Sequence, residues 1–146
     1  MYGDTAVIRR RVDQLREQGA EVRSMADLLV GRAEQVGWQG RAAEAMRERV
    51  RDRAAQLREA AGRHDTAADA LERHLHAVTS TGDAIDRAER RVTALVAEAR
   101  GRVERLERDA VDGVEVRPTD DDRLLLAFDA PPRGHRDWLA VELPGL

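Results

Sequence analysis

Four histidines, two serines and no cysteine are the groups from which metal binding or covalent catalysis would have to be built in this chain. His64 sits within a seven-residue apolar repeat, a position that suits a partly buried, hydrogen-bonded imidazole better than a metal ligand. His74 and His76 are two residues apart, so on a helix they face different sides and cannot share an ion. His135 stands alone in the C-terminal stretch. Asp65 and Asp69 share a helix face, but with no His or Cys beside them they read as solvated carboxylates. Ser24 and Ser80 lack the strained Gly-rich turn of a nucleophile, no pair of carboxylates is isolated in apolar surroundings, and no Gly-rich loop could cradle a phosphate. The residues predict no catalytic group, no metal and no cofactor, and hence not an enzyme.

What remains is a scaffold for contacts, and its composition limits the form. The 146 residues are 36% charged, 42% hydrophobic and 3% aromatic. Strands favour aromatic and β-branched residues, so a chain whose apolar content is chiefly Ala, Val and Leu points to long amphipathic helices. All 25 basic residues are arginine, which reads as GC-rich coding of the actinobacterial kind. Residues 1–111 carry 21 Arg against 20 acids, and residues 112–146 carry 4 against 8. The signs are interspersed rather than segregated, which argues against a nucleic-acid partner. No run of 18 apolar residues spans a membrane, and Met1–Asp4 does not open a cleaved signal peptide.

Two heptad series organise residues 1–111. In the first, Ile8, Leu15, Val22, Leu29 and Val36 recur every seven residues, accompanied by Val12, Gly19, Ala26 and Ala33. The 4-then-3 spacing puts both sets on one stripe, and the small members of the second set would let a neighbouring helix approach closely. A helix over 5–36 is expected, N-capped by Asp4 or Thr5 and closed by Gly37-Trp38-Gln39-Gly40. The second series runs Ala43, Val50, Leu57, His64, Leu71, Val78, Ile85, Val92, Ala99, Leu106, beside Ala54, Ala61, Ala68, Leu75, Gly82, Glu89, Val96, Val103 and Ala110. Thr79-Ser80-Thr81-Gly82-Asp83 is poor helix. Either one helix of roughly 100 Å continues through it at ~1.5 Å per residue, or the chain turns there into a third helix. The unbroken heptad phase favours the continuous helix.

Beyond Val111, Asp112-Gly113 and Pro118 end the helix and an acidic, Pro-containing tail, 112–146, follows. Residues 123–128 and 138–143 are short apolar stretches, expected either as a small irregular or β-hairpin structure or as segments ordered by a partner.

A helix of about thirty residues, then Trp38-Gln39-Gly40, then Arg41-Ala42-Ala43-Glu44-Ala45-Met46, resembles the W-x-G helical hairpin of type VII secretion substrates and targeting domains. His64-Asp65-Thr66-Ala67-Ala68-Asp69-Ala70-Leu71 is similar to the second-helix pattern of longer actinobacterial members. The resemblance covers residues 5–78 and extends more weakly to 110. It implies an antiparallel hairpin that pairs with another chain as a helical bundle, with no catalytic residues and with Trp38 and Gly40 as the turn motif. It also implies an exported substrate, a targeting domain or a co-secreted partner, cytoplasmic before export and leaving without a cleaved signal. The family's export signal often includes Tyr-x-x-x-Asp/Glu. Here the only tyrosine is Tyr2, with Ala6 at the fourth position, while Trp138 and Glu142 have the spacing inside a Pro-flanked tail and rank only as a weak tail contact.

These readings together give an all-α chain: a helical-hairpin, coiled-coil domain over 1–111 and a tail over 112–146. Trp38 is expected to fold over the open end of the helix–helix seam. Val78, Ile85, Val92, Val96, Ala99, Val103 and Leu106 are expected as a ridge that another protein covers, since a single chain would leave it bare. The rival readings are a cytoplasmic chaperone or neutralising partner of a secreted toxin, and a plain coiled-coil scaffold.

Overall fold

The computed structural model describes residues 2–110 and 117–146, and among them every regular element is helical. In chain order they are α1 (Tyr2–Gln35), α2 (Arg41–Asp109), α3 (Asp120–Leu126) and a 3-10 helix (Arg136–Ala140). No strand occurs among the described residues, so the two apolar stretches of the tail are not a β-hairpin. Residues 123–126 belong to α3 and 138–140 to the 3-10 helix. The expected helix stop at Val111-Asp112-Gly113 lies outside the described residues.

Helix α2 runs without interruption through Thr79–Asp83. Continuous apolar spacing on either side of the weak segment prevails over its poor helix propensity, a local cost of a few tenths of a kcal/mol per residue and ~1 kcal/mol at Gly82. Helix α1 starts earlier than expected, at Tyr2, so Asp4 and Thr5 lie inside it rather than capping it. It ends at Gln35, and Gly37 does not adopt a left-handed conformation. The glycine that does is Gly40, with φ 99°. Its carbonyl accepts the first intrahelical bond of α2, from the Glu44 amide at 3.1 Å. A side chain at Gly40 would meet the Cβ clash of the left-handed region, so glycine suits the last residue of the turn.

The chain divides into two compact units, Met1–Val78 and Thr79–Leu146. The boundary falls inside α2 rather than after residue 111. The C-terminal tail packs on the second half of that helix and groups with it.

In the first unit, cross-helix ion pairs run in opposite order along α1 and α2. Arg16 reaches Asp69 at 3.4 Å and Glu72 at 2.7 Å, Arg23 meets Asp65, Asp27 meets Arg58 at 2.6 Å, and Glu34 meets Arg51 at 3.6 Å. The two helices are therefore antiparallel. Val12, Ala26 and Ala33 on α1 and Ala54, Ala61, Ala68 and Leu75 on α2 form the buried seam. Gly19 shares this column, and a Cβ built there would sit 3.3 Å from the Ala61 carbonyl oxygen and 3.5 Å from the His64 Cβ. The small column is buried because its side chains allow the two backbones to close up. The ion pairs at its margins, all partly exposed, add at most about 1 kcal/mol each.

In the second unit a different column of α2 turns inward. Ile85, Val92 and Ala99 are buried, joined by Leu95. The tail supplies what covers them.

Candidate protein-interaction site

Among the described residues no group of three His, Asp or Glu side chains converges as metal ligands, and no helix is long and apolar enough to cross a membrane. His64 Nδ1 is buried without a hydrogen-bond partner among the described residues, so the imidazole is not the satisfied seam histidine expected. The His64 Cβ lies 3.5 Å from where a Cβ on Gly19 would stand, so the base of this side chain sits at the close approach of α1 and α2.

The surfaces worth following are apolar. In the first unit, the larger heptad column lies beside the alanine seam rather than in it. Ile8, Leu15 and Val22 on α1, and Val50, Leu57, Leu71 and Val78 on α2, are only partly buried, while Leu29 is exposed. On the same unit, Val7, Met25 and Leu28 are half or more exposed. An antiparallel helix pair can bury one stripe between its members; the second stripe of each needs another layer.

The turn between the helices does not behave as the aromatic cap expected. Trp38 is 67% exposed. Its carbonyl, with that of Val36, accepts from the Arg47 guanidinium at 2.7 and 3.1 Å. Arg47 thus satisfies carbonyls that the end of α1 and the turn leave unpaired. The indole is left for solvent because a seam closed by alanines has no wide end to plug.

The other tryptophan is the buried one. Trp138 is 4% exposed and forms a cluster with Ile85 and Val92, against which Ala88, Val96, Phe128, Val141 and Leu143 pack. Its ring lies 6.2 Å from that of Phe128 at an interplanar angle of 55°. The indole N–H donates to the Pro132 carbonyl at 3.0 Å. A second cluster joins Leu95 and Ala99 to Leu125 of α3, with Leu143 beside it.

Polar contacts reinforce this docking. Asp122 is 2% exposed, and its Oδ1 accepts from Arg102 Nε at 2.9 Å and from a terminal Arg102 nitrogen at 2.6 Å. Hydrogen bonding from Arg102, then from Thr119, holds the Asp122 carboxyl below its usual range although burial opposes this. Thr119 caps α3 by accepting from the Asp122 amide at 3.1 Å. Arg91 donates to the Gly145 carbonyl at 3.0 Å. Glu89 accepts from the Gly134 amide at 3.4 Å and lies 3.8 Å from the Arg133 guanidinium.

The ridge expected to await another protein is therefore largely occupied by the chain itself. Ile85, Val92 and Ala99 are buried there, Val96 packs at its edge, and Val78, Val103 and Leu106 are partly exposed. Trp138 is a core residue rather than part of a surface signal, and Glu142 is exposed. The contacts of Asp122 and Leu125 with α2 escaped the sequence reading. Their available signal was the i, i+3 pairing of Asp122 with Leu125 just after a Thr cap.

Compared with known protein families, with characterised proteins and with solved structures, the chain has no match in any of the three.

Proposed function

We propose that the chain is a non-enzymatic helix-pairing protein of the W-x-G type, serving a type VII secretion pathway as exported substrate, targeting domain or co-secreted partner. The observation that carries the pairing is the division of labour in the first unit. Alanines close the seam between α1 and α2, and a column of larger apolar residues on each helix, interrupted on α2 by His64, is left partly open beside it. A second helix pair laid on these columns completes a four-helix layer arrangement. The secretion reading rests on Trp38-Gln39-Gly40 standing in the turn between the helices, with an exposed indole available to another protein.

Purification of the full chain from its native host tests the reading. The chain should emerge with a helical protein partner or as a multimer of itself, and it should appear in the culture medium when the secretion ATPase is intact. Replacing Leu15 and Leu57 with Asp should remove the partner while circular dichroism retains the helical signal. A partner that stays bound to this variant refutes the pairing surface. Export that is indifferent to the ATPase refutes the pathway.

A further inference from the structure

The tail of the second unit holds its place by unusual means. Its elements are a seven-residue helix and a five-residue 3-10 helix, each too short to persist without a surface to lie on. That surface is the α2 ridge, and two of the contacts fastening the tail are made by arginines of the ridge, Arg102 to Asp122 and Arg91 to the Gly145 carbonyl.

With the tail lifted, the ridge has the pattern of a self-pairing coiled coil. Ile85, Val92 and Ala99 occupy one core column, and Ala88 and Leu95 the other. Antiparallel apposition of two copies about the midpoint of residues 92–95 places Val92 against Leu95 and Ala88 against Ala99, each twice, and leaves Ile85 at the edge, level with Arg102 of the other copy. The flanking positions then set Arg91 of each copy beside Glu98 of the other, also twice. Flanking charges of this kind choose partner and orientation in coiled coils. Here they are self-complementary.

We propose that residues 117–146 are an intramolecular cover over a homotypic pairing surface, and that release of the Arg102–Asp122 and Trp138 contacts lets two copies join antiparallel through residues 88–99 of α2. This goes beyond the secretion reading and does not depend on it, since every residue involved lies in the second unit. A tethered cover competes at an effective concentration in the millimolar range, so the closed form prevails until the tail is loosened.

The test uses the full chain with Asp122→Ala and Trp138→Ala together, and separately with Leu125→Asp. All three changes lie outside α2 and leave its sequence intact. Limited proteolysis should show cleavage within 117–146, circular dichroism should retain the α2 signal, and sedimentation velocity should show twice the parent mass where the parent is a monomer or a 1:1 complex, and a larger multiple where it already pairs with itself through the first unit. Adding Arg91→Glu to either open variant should return the parent mass, and adding Glu98→Arg to that should restore the doubling. A released tail with unchanged mass overturns the proposal, as does doubling that ignores Arg91→Glu. A tail that remains protected in both variants overturns the assignment of the fastening contacts.

Discussion

Gly19, Gly31 and Gly62 are all interior helical glycines of the first unit, and replacing each with alanine separates helix propensity from helix contact. Removing an interior glycine is worth about 1 kcal/mol to a helix. At Gly31 and Gly62 a new Cβ meets nothing within 4 Å, so the full gain is expected. At Gly19 the same Cβ would lie 3.1 Å from Asp65 Oδ1 and 3.3 Å from the Ala61 carbonyl oxygen. The carboxylate is the end of a side chain, but it is tied to Arg23. The carbonyl belongs to the backbone of α2 and cannot rotate away. The helices must part by a few tenths of an ångström, and overpacking of this kind costs about 1–3 kcal/mol. Gly19→Ala should therefore come out about 0–2 kcal/mol less stable than the parent, and about 1–3 kcal/mol below Gly31→Ala. For a unit of this size, 1 kcal/mol moves a thermal midpoint by roughly 4–8 °C. Far-ultraviolet circular dichroism melts of the three variants give the comparison. If Gly19→Ala rises in midpoint as far as Gly31→Ala, the close approach of α1 and α2 is refuted.

Trp138→Ala removes a buried indole and should weaken tail docking by about 3–5 kcal/mol, whereas Trp38→Ala, at an exposed position, should change stability by no more than ~0.5 kcal/mol; urea titrations of each reverse or uphold that order. In a Trp38→Phe background the remaining tryptophan should emit toward the blue and resist acrylamide, and red-shifted, readily quenched emission would contradict its burial. Gly40→Ala forces a Cβ into a left-handed position and should cost roughly 1–2 kcal/mol, read as a lower urea midpoint. Because Arg102 holds the Asp122 carboxyl below its usual range, this group adds stability above its unfolded pKa and loses it as pH falls through the lower folded one. The tail should therefore stay protease-resistant below the ordinary carboxylate range near ~4, and Asp122→Asn should remove that part of the acid dependence.

The helices were legible because seven-residue spacing persists over many turns, and no other element produces it. Which of two apolar columns turns inward was not. Ala26, Ala54, Ala61 and Ala68 bury rather than Leu15 and Leu57 because small side chains permit backbone contact, a preference that hydrophobicity alone ranks backwards. In α2 the buried column also changes between Leu75 and Ile85, beside the Thr-Ser-Thr-Gly segment, although the apolar repeat in the sequence keeps its phase. The tail was read least well. Its elements are shorter than any periodicity can reveal, and they owe their order to Ile85, Val92 and Leu95, residues far off in the chain. The roles of the two tryptophans had a local sign: Trp38 is set among Gly37, Gln39 and Gly40, while Trp138 precedes Leu139, Val141 and Leu143.

An alanine seam has a consequence for alignment. One methyl group resembles the next, so among Ala26, Ala33, Ala54, Ala61 and Ala68 a slide of α1 by seven residues along α2 sets alanine on alanine again, and within the seam it is Gly19 that resists, since the slide carries Ala26 or Val12 to its place beside the Ala61 carbonyl. Sign opposes the slide as well. Along α1 the bridging charges read plus at Arg16 and Arg23, then minus at Asp27 and Glu34; along α2 they read plus at Arg51 and Arg58, then minus at Asp65 and Asp69. A slip in one direction brings Asp27 against Asp65, and a slip in the other brings Arg23 against Arg58 and Glu34 against Glu44. The register of the pair is thus written in its rim as well as at one glycine of its core, like a key whose teeth lie along the edge.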